Sequence, residues 1–152
     1  MSELLKVGSK APAFSAPASD GKTYRLSDLL KQGPVALILY PGNNTPGCNR
    51  QLATVRDALA QFAARGIQPF GVNPAGVESH ARYAEKMKFN FPLLSDPDEV
   101  IARAYHALKD DDQHIQRSVY VVGRDGTIAF AQRGAPPVSE IVAAVDTGPR
   151  GP

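Results

Sequence analysis

Apolar residues gather along this chain in two patterns that bracket one segment. Residues 35–40, Val-Ala-Leu-Ile-Leu-Tyr, form an unbroken apolar run bounded by Pro34 and Pro41. An unbroken run of that length predicts a strand covered on both faces and therefore central in a sheet. Further on, Leu52, Val55, Leu59 and Phe62 recur at spacings of three, four and three, the stripe of a helix with one face on the core. Thr45 followed by Pro46 predicts the start of that helix, with the threonine hydroxyl as cap, and Gly66 its end. Cys48 falls in the first turn, four residues before Leu52 on the same stripe. Its sulfur is therefore expected to point into the protein at the bottom of a shallow recess.

The rest of the chain alternates in the same way. Residues 13–26 read as two short extended pieces around Ser19-Asp20-Gly21-Lys22, a hairpin turn, followed by a helical turn that starts at Ser27 and Asp28 and stops before Gly33-Pro34. Strands are predicted over 67–72, 91–94, 118–122 and 127–132, the last two joined by the turn Gly123-Arg124-Asp125-Gly126. Helices are predicted over 77–88, 97–108 and 137–145, with a polar surface loop at 109–113. This order gives an α/β fold of thioredoxin-like layout: a mixed central sheet, helices on both faces and an N-terminal β-hairpin. Open sheets of this kind bind ligands beyond the carboxyl ends of their strands, where Cys48 sits.

Length and composition narrow the class. The 152 residues suit one domain, read as 1–146 with a flexible tail over 147–152. Apolar residues make up 43% and charged residues 21%, ordinary for a globular chain. Net charge is +2 with no basic stripe; Arg50, Arg56 and Arg65 are expected on one helix, but Asp57 interrupts them, and nucleic-acid binding is not expected. No apolar run approaches the roughly 20 residues that span a bilayer. The opening Met-Ser-Glu-Leu-Leu-Lys lacks the apolar core of a signal peptide, so a cytoplasmic location is expected. A single cysteine agrees with a reducing compartment. Asn43-Asn44-Thr45 matches a glycosylation sequon, but proline follows it and we read the segment as a tight loop.

Cys48 is the candidate nucleophile. A helix start offers unpaired backbone N–H groups and a positive dipole end, both of which favour a thiolate. Cysteine hydrolases need a histidine beside the thiol, but His80, His106 and His114 lie in polar or mixed segments and are expected on the surface. No cysteine pair and no His-x-x-x-His spacing suggests a metal, and no cofactor is implied.

The segment Leu39-Tyr40-Pro41-Gly42-Asn43-Asn44-Thr45-Pro46-Gly47-Cys48 resembles the active-site segment of the peroxiredoxins, in particular the bacterioferritin-comigratory or Q subgroup of the AhpC/TSA-like thiol peroxidases. The opening Val7-Gly8-Ser9-Lys10-Ala11-Pro12-Ala13-Phe14, the middle Phe91-Pro92-Leu93-Leu94-Ser95-Asp96-Pro97 and the late strand Arg117-Ser118-Val119-Tyr120-Val121-Val122 resemble the family too. The resemblance implies that Cys48 is the peroxidatic cysteine, Arg117 the cation beside its sulfur, Thr45 a hydroxyl partner, Pro41 a shield, and the backbone amides of Gly47 and Cys48 donors to substrate. It implies attack by the thiolate on a hydroperoxide, giving Cys48 sulfenic acid. A free thiol of pKa about 8.5 is already a few per cent thiolate at neutral pH, so ionisation alone gains only about tenfold to thirtyfold. Stabilising charge on the leaving oxygen must supply the rest.

Departures from the subgroup carry consequences. Ala53 stands where relatives often have a second cysteine, so no internal disulfide can form, and an external thiol or redoxin, or a disulfide between two chains, must reduce the oxidised sulfur. Asn49 replaces a common threonine or serine, Asn43 and Asn44 occupy a loop that is often charged, and Asn73-Pro74-Ala75 replaces a serine-containing segment. The expected partners are a hydroperoxide and an external reductant, with the chain a monomer or weak homodimer. The alternative is a redox sensor or binding protein on the same scaffold, in which Cys48 is oxidised but poorly recycled.

Overall fold

The structure is a computed structural model that describes residues 3–111 and 113–145. The tail expected over 147–152, and the domain end at 146, lie outside the described residues.

The chain order is β1 (Ser15–Pro17), β2 (Thr23–Arg25), α1 (Leu26–Leu29), β3 (Val35–Leu39), α2 (Pro46–Asp57), α3 (Leu59–Ala64), β4 (Gln68–Asn73), α4 (Val77–Met87), β5 (Leu93–Ser95), α5 (Val100–Ala104), β6 (Ser118–Val122), β7 (Ile128–Arg133) and α6 (Val138–Val142). The apolar run beginning at Val35 takes the middle of a five-stranded sheet, in the order β5-β4-β3-β6-β7. β4 runs parallel to β3 and β5 parallel to β4, whereas β6 is antiparallel to β3 and β7 antiparallel to β6. The sheet is therefore mixed, and β1 and β2 form the separate antiparallel hairpin.

Every β3 residue is fully buried because successive side chains enter opposite cores. Val35, Leu37 and Leu39 pack with Leu26 and Leu29 of α1, Ile101 and Ala102 of α5, and Ala16 of the hairpin. Ala36 and Ile38 pack with Cys48, Leu52 and Val55 of α2, Phe62 of α3, Tyr83 of α4 and Ile141 of α6. Cys48 thus belongs to the second core.

Local chemistry explains where elements differ from the sequence reading. The helix expected to run to Gly66 breaks at Ala58 (φ −106°, ψ 15°), whose amide is shared between the carbonyls of Thr54 and Val55. The break turns Ala58 inward, so Leu59, read as part of the stripe, is only half-buried. α5 begins at Val100 rather than 97, because Glu99 adopts a left-handed conformation (φ 57°) and the buried Asp96 carboxylate accepts the amides of Ile101 and Ala102 at 3.1 and 3.0 Å. It ends at Ala104, ahead of His106 at φ 53°. α6 is likewise shorter than predicted, and α1 starts at Leu26 with no side-chain cap from Ser27. Arg50 and Arg56 lie on α2, but Arg65 follows α3. Arg56 donates to the Met87 carbonyl at the end of α4, and Arg65 to the Val142 and Val145 carbonyls near α6. These cations close helix ends.

Gly71 of β4 is packed so closely that an added Cβ would lie 2.7 Å from Leu93 Cδ2 and 3.1 Å from Tyr40 Cε1. Both neighbours are fully buried and have little room to yield. Gly71→Ala is expected to lower stability by about 1–3 kcal/mol, measured as a shift in the urea unfolding midpoint without a change in slope.

Candidate active site

β3 delivers the chain to the rim of the sheet at Tyr40, and the segment 41–45 turns it back into α2 through Asn44, whose φ of 62° reverses the path. Thr45 takes the cap position with extended backbone (φ −106°, ψ 149°), and Pro46 opens the helix, where its missing N–H costs nothing. The Asn49 amide is the first to bond back along the helix, to the Thr45 carbonyl at 2.7 Å. The Gly47 and Cys48 amides precede it in the first turn, whose N–H groups have no intrahelical acceptor. The Cys48 side chain is fully buried, deeper than the shallow recess that the stripe alone suggested.

Arg117 reaches this sulfur from the other side of β3. Leu39 pairs with Ser118, so the antiparallel register places Arg117, one residue before β6, beside the end of β3. Its Nη2 lies 3.5 Å from Cys48 Sγ, and its Nη1 donates to Gln51 Oε1. Gln51 was not singled out in the sequence, although its place three residues after Cys48 puts both on one helix face. A Cβ on Gly47 would sit 3.4 Å from the same Nη2, so the guanidinium packs directly against the first turn of α2.

The other predicted residues are placed but not joined to the sulfur by a hydrogen bond. Thr45 is exposed and its hydroxyl does not cap α2, contrary to the expectation. Pro41 is exposed just beyond Tyr40. The asparagines read as departures are the ones most fully engaged. Asn43 accepts from Tyr40 Oη at 2.7 Å and from Asn73 Nδ2 at 3.3 Å, and donates to Ser79 Oγ at 3.1 Å. Asn49 accepts from Tyr83 Oη at 2.6 Å, and Asn44 from Lys86 Nζ at 2.9 Å.

The histidines divide. His106 and His114 are exposed, His106 against the Glu3 carbonyl and His114 against the Asp111 carboxylate. His80, expected on the surface, is instead fully buried. Its Nε2 lies 3.0 Å from the Leu94 carbonyl and its Nδ1 3.1 Å from Asn43 Nδ2. Burial holds its pKa below the ordinary 6.5. Burial likewise raises Tyr40 and pushes Tyr83 up to about 12, so both phenols beside the site are neutral donors at physiological pH. Among the described residues, no group of three or more His, Cys, Asp or Glu side chains gathers to hold a metal ion.

A buried sulfur with a cation at hydrogen-bond distance and free helical amides beside it suits nucleophilic attack on a small electrophile that leaves as an anion. Known proteins are similar to this chain over most of its length. The AhpC/TSA family model matches residues 7–131. A Mycobacterium tuberculosis protein named as a peroxiredoxin, Rv2521, is 37% identical over 134 residues, covering 84% of this chain and 85% of its own. The chloroplastic peroxiredoxin Q of Triticum aestivum is 32% identical over 124 residues, covering 81% of this chain and 57% of its own. The crystal structure of the peroxidoxin BcpB from Mycobacterium tuberculosis superposes with a TM-score of 0.84 at 27% identity, covering 92% of this chain and 96% of that one. The chain belongs to the AhpC/TSA family and is a thiol-dependent peroxidase of the peroxiredoxin type, with one cysteine and no resolving partner.

Proposed function

We propose that Cys48 is the peroxidatic residue and that it reduces hydrogen peroxide or organic hydroperoxides with the help of Arg117, Gln51 and the first turn of α2. The Cys48 thiolate attacks the terminal peroxide oxygen; an S–O bond forms, the O–O bond breaks, and the leaving oxygen takes a proton to become water or an alcohol. Negative charge moves from sulfur toward that leaving oxygen. A guanidinium has donors enough to contact both, and the Gly47 and Cys48 amides add fixed dipoles on the same side. The observation that carries this reading is the Arg117 Nη2 contact with Cys48 Sγ at 3.5 Å, made by a cation whose other nitrogen is held by Gln51. Thr45 and Pro41 line the approach, Thr45 with a hydroxyl not used as a helix cap and Pro41 as an apolar shield.

The cycle closes from outside. With one cysteine in the sequence, the sulfenic acid is reduced by an external thiol or redoxin through a mixed disulfide. We place this activity in the cytoplasm, in a monomer or weak homodimer; no helix among the described residues is long and apolar enough to cross a membrane.

Cys48→Ser is expected to abolish peroxide consumption, and wild-type-like consumption by that variant would overturn the assignment. Arg117→Ala is expected to slow Cys48 oxidation by about 100- to 1,000-fold, the loss found when one donor to a developing oxyanion is removed. Gln51→Ala should slow it by about tenfold, the scale of one hydrogen bond to a charged group. Peroxide turnover with a panel of thiols and redoxins, read with intact-mass measurement of Cys48, checks all three and identifies the reductant. Single oxidation with no recycling by any of them would favour a sensor.

A further inference from the structure

The polar groups behind the 41–45 loop form one chain whose donor and acceptor order is fixed from end to end. The Ala75 amide donates to Asn73 Oδ1 at 2.8 Å, so the Asn73 side chain must present its Nδ2 toward Asn43. Asn43 therefore turns its oxygen toward Asn73 and Tyr40 Oη, and its Nδ2 toward Ser79 and His80. An amide nitrogen only donates, so His80 Nδ1 must be an unprotonated acceptor. The Leu94 carbonyl only accepts, so the ring proton must be on Nε2. A single tautomer of a fully buried ring satisfies every member.

We propose that Asn43 and His80 are positioning residues for the peroxidase reaction: they lock the loop carrying Pro41 and Thr45 onto the β5 backbone, and the lock holds only while His80 is neutral with its proton on Nε2. A second proton on the ring would set Nδ1–H against the Asn43 N–H groups. Asn43 could then keep His80 only by turning its amide over, which sets its Nδ2 against Asn73 Nδ2 and reverses its bonds with Tyr40 and Ser79. Unturned, the amide gives up His80 and with it the tie to the β5 backbone; turned, it gives up the tie to β4 at Asn73.

Burial favours the neutral ring and outweighs the Leu94 and Asn73 carbonyls, which as acceptors favour the cation. The groups that face it are the Asn43 amide from the loop, the Leu94 carbonyl from β5 and the Asn73 carbonyl from β4, all uncharged. Glu78 and Arg82, its charged neighbours on α4, are exposed. Tyr40 and Tyr83 remain protonated, and the Asp96 carboxylate beyond β5 is taken by the Ile101 and Ala102 amides. Burial lowers the pKa of His80, so the released loop binds a proton more readily than the locked one. The lock is at full strength above the ordinary value of 6.5 and weakens as pH falls below it.

Two measurements on the full chain test the lock. Nitrogen NMR of 15N-histidine-labelled protein at pH 7.5 should show His80 with Nδ1 bare and Nε2 protonated; a cationic ring or the Nδ1–H tautomer overturns the proposal. The second measurement is the rate constant for Cys48 oxidation by hydrogen peroxide between pH 5 and 8. Asn43→Ala and His80→Ala should each slow it by about 10- to 100-fold at pH 7.5, the cost of a misplaced active-site group. His80→Gln, whose uncharged amide can accept from Asn43 and donate to Leu94, should restore part of that rate and remove the extra acid-side loss seen in the wild type. Unchanged rates in Asn43→Ala, or identical acid limbs in wild type and His80→Gln, overturn it. If His80→Gln does not fold, the tautomer and Asn43→Ala decide. The kinetic arm rests on the peroxidase reading: a wild-type Cys48 that peroxide does not oxidise sinks that reading, and the tautomer measurement still judges the lock.

Discussion

The contact between the Arg117 guanidinium and the Cys48 sulfur depends on the register of β6 against β3. Leu39 stands opposite Ser118, so Arg117 emerges beside the point where β3 hands the chain to the loop and then to α2. Side chains alternate between faces along a strand, and a slip of one residue would carry Arg117 to the core of α1 and α5, away from the sulfur. That slip is opposed by the whole pattern of burial. Val119 and Val121 belong to the core that holds Cys48, Tyr120 and Val122 to the opposite one, and all four are fully buried. Exchanging them would refill both cores at once. The hydrophobic sorting of two strands thus sets a cation at 3.5 Å from a thiol.

Viewed from β3, the site draws on both flanks of the sheet. β6 and β7 bring Arg117, whose carbonyl accepts the Gly134 amide just after β7. β4, β5 and α4 bring Asn73, Leu94, Ser79 and His80, which together hold Asn43 and the loop. α2 ties the two groups together by side chains, through Gln51 toward Arg117 and through Asn49 toward Tyr83. Cys48 sits between these two groups, on the segment that each of them grips.

What the sequence reveals of this arrangement follows from the range of each interaction. The central strand and the inward stripe of α2 are legible because burial acts on every residue of an element and leaves a period of two, of 3.6, or an unbroken run. The loop after β3 and the cysteine in the first helical turn follow from Thr45-Pro46 alone. Arg117 is 69 residues from Cys48, and no periodicity links them; only the family resemblance paired them. His80 was misplaced because a polar residue among Glu78, Ser79 and Arg82 reads as the wet side of a helix. Its burial is made possible by Asn43, 37 residues earlier, and by a strand carbonyl, neither of which has a pattern signature. Ala58 and Leu59 show the same limit on a smaller scale: either could continue the stripe, and an unusual backbone angle at Ala58 chose between them.

A sulfur with no exposed surface sets a steeper access problem for a protein thiol than for a small hydroperoxide. Reduction from outside requires an attacking sulfur in line with the bond it breaks, so the first turn of α2 must move before an external thiol can reach Cys48. Side-chain anchoring is sparse just before Cys48. Thr45 makes no side-chain cap, Pro46 has no N–H to contribute, and Asn44 holds a left-handed conformation whose side chain is tied only by the exposed Lys86. Two residues to one side, Asn43 is held by four partners; from Leu52 onward, α2 is packed into the core. The segment that would have to shift to expose the sulfur is therefore short, bounded by the Asn43 contacts on one side and by the buried stripe from Leu52 on the other. The same loop that must be rigid to align a peroxide must release the sulfur afterwards, and the four side-chain partners of Asn43, against the exposed Lys86 for Asn44, put most of the hold at the end of the loop away from the sulfur.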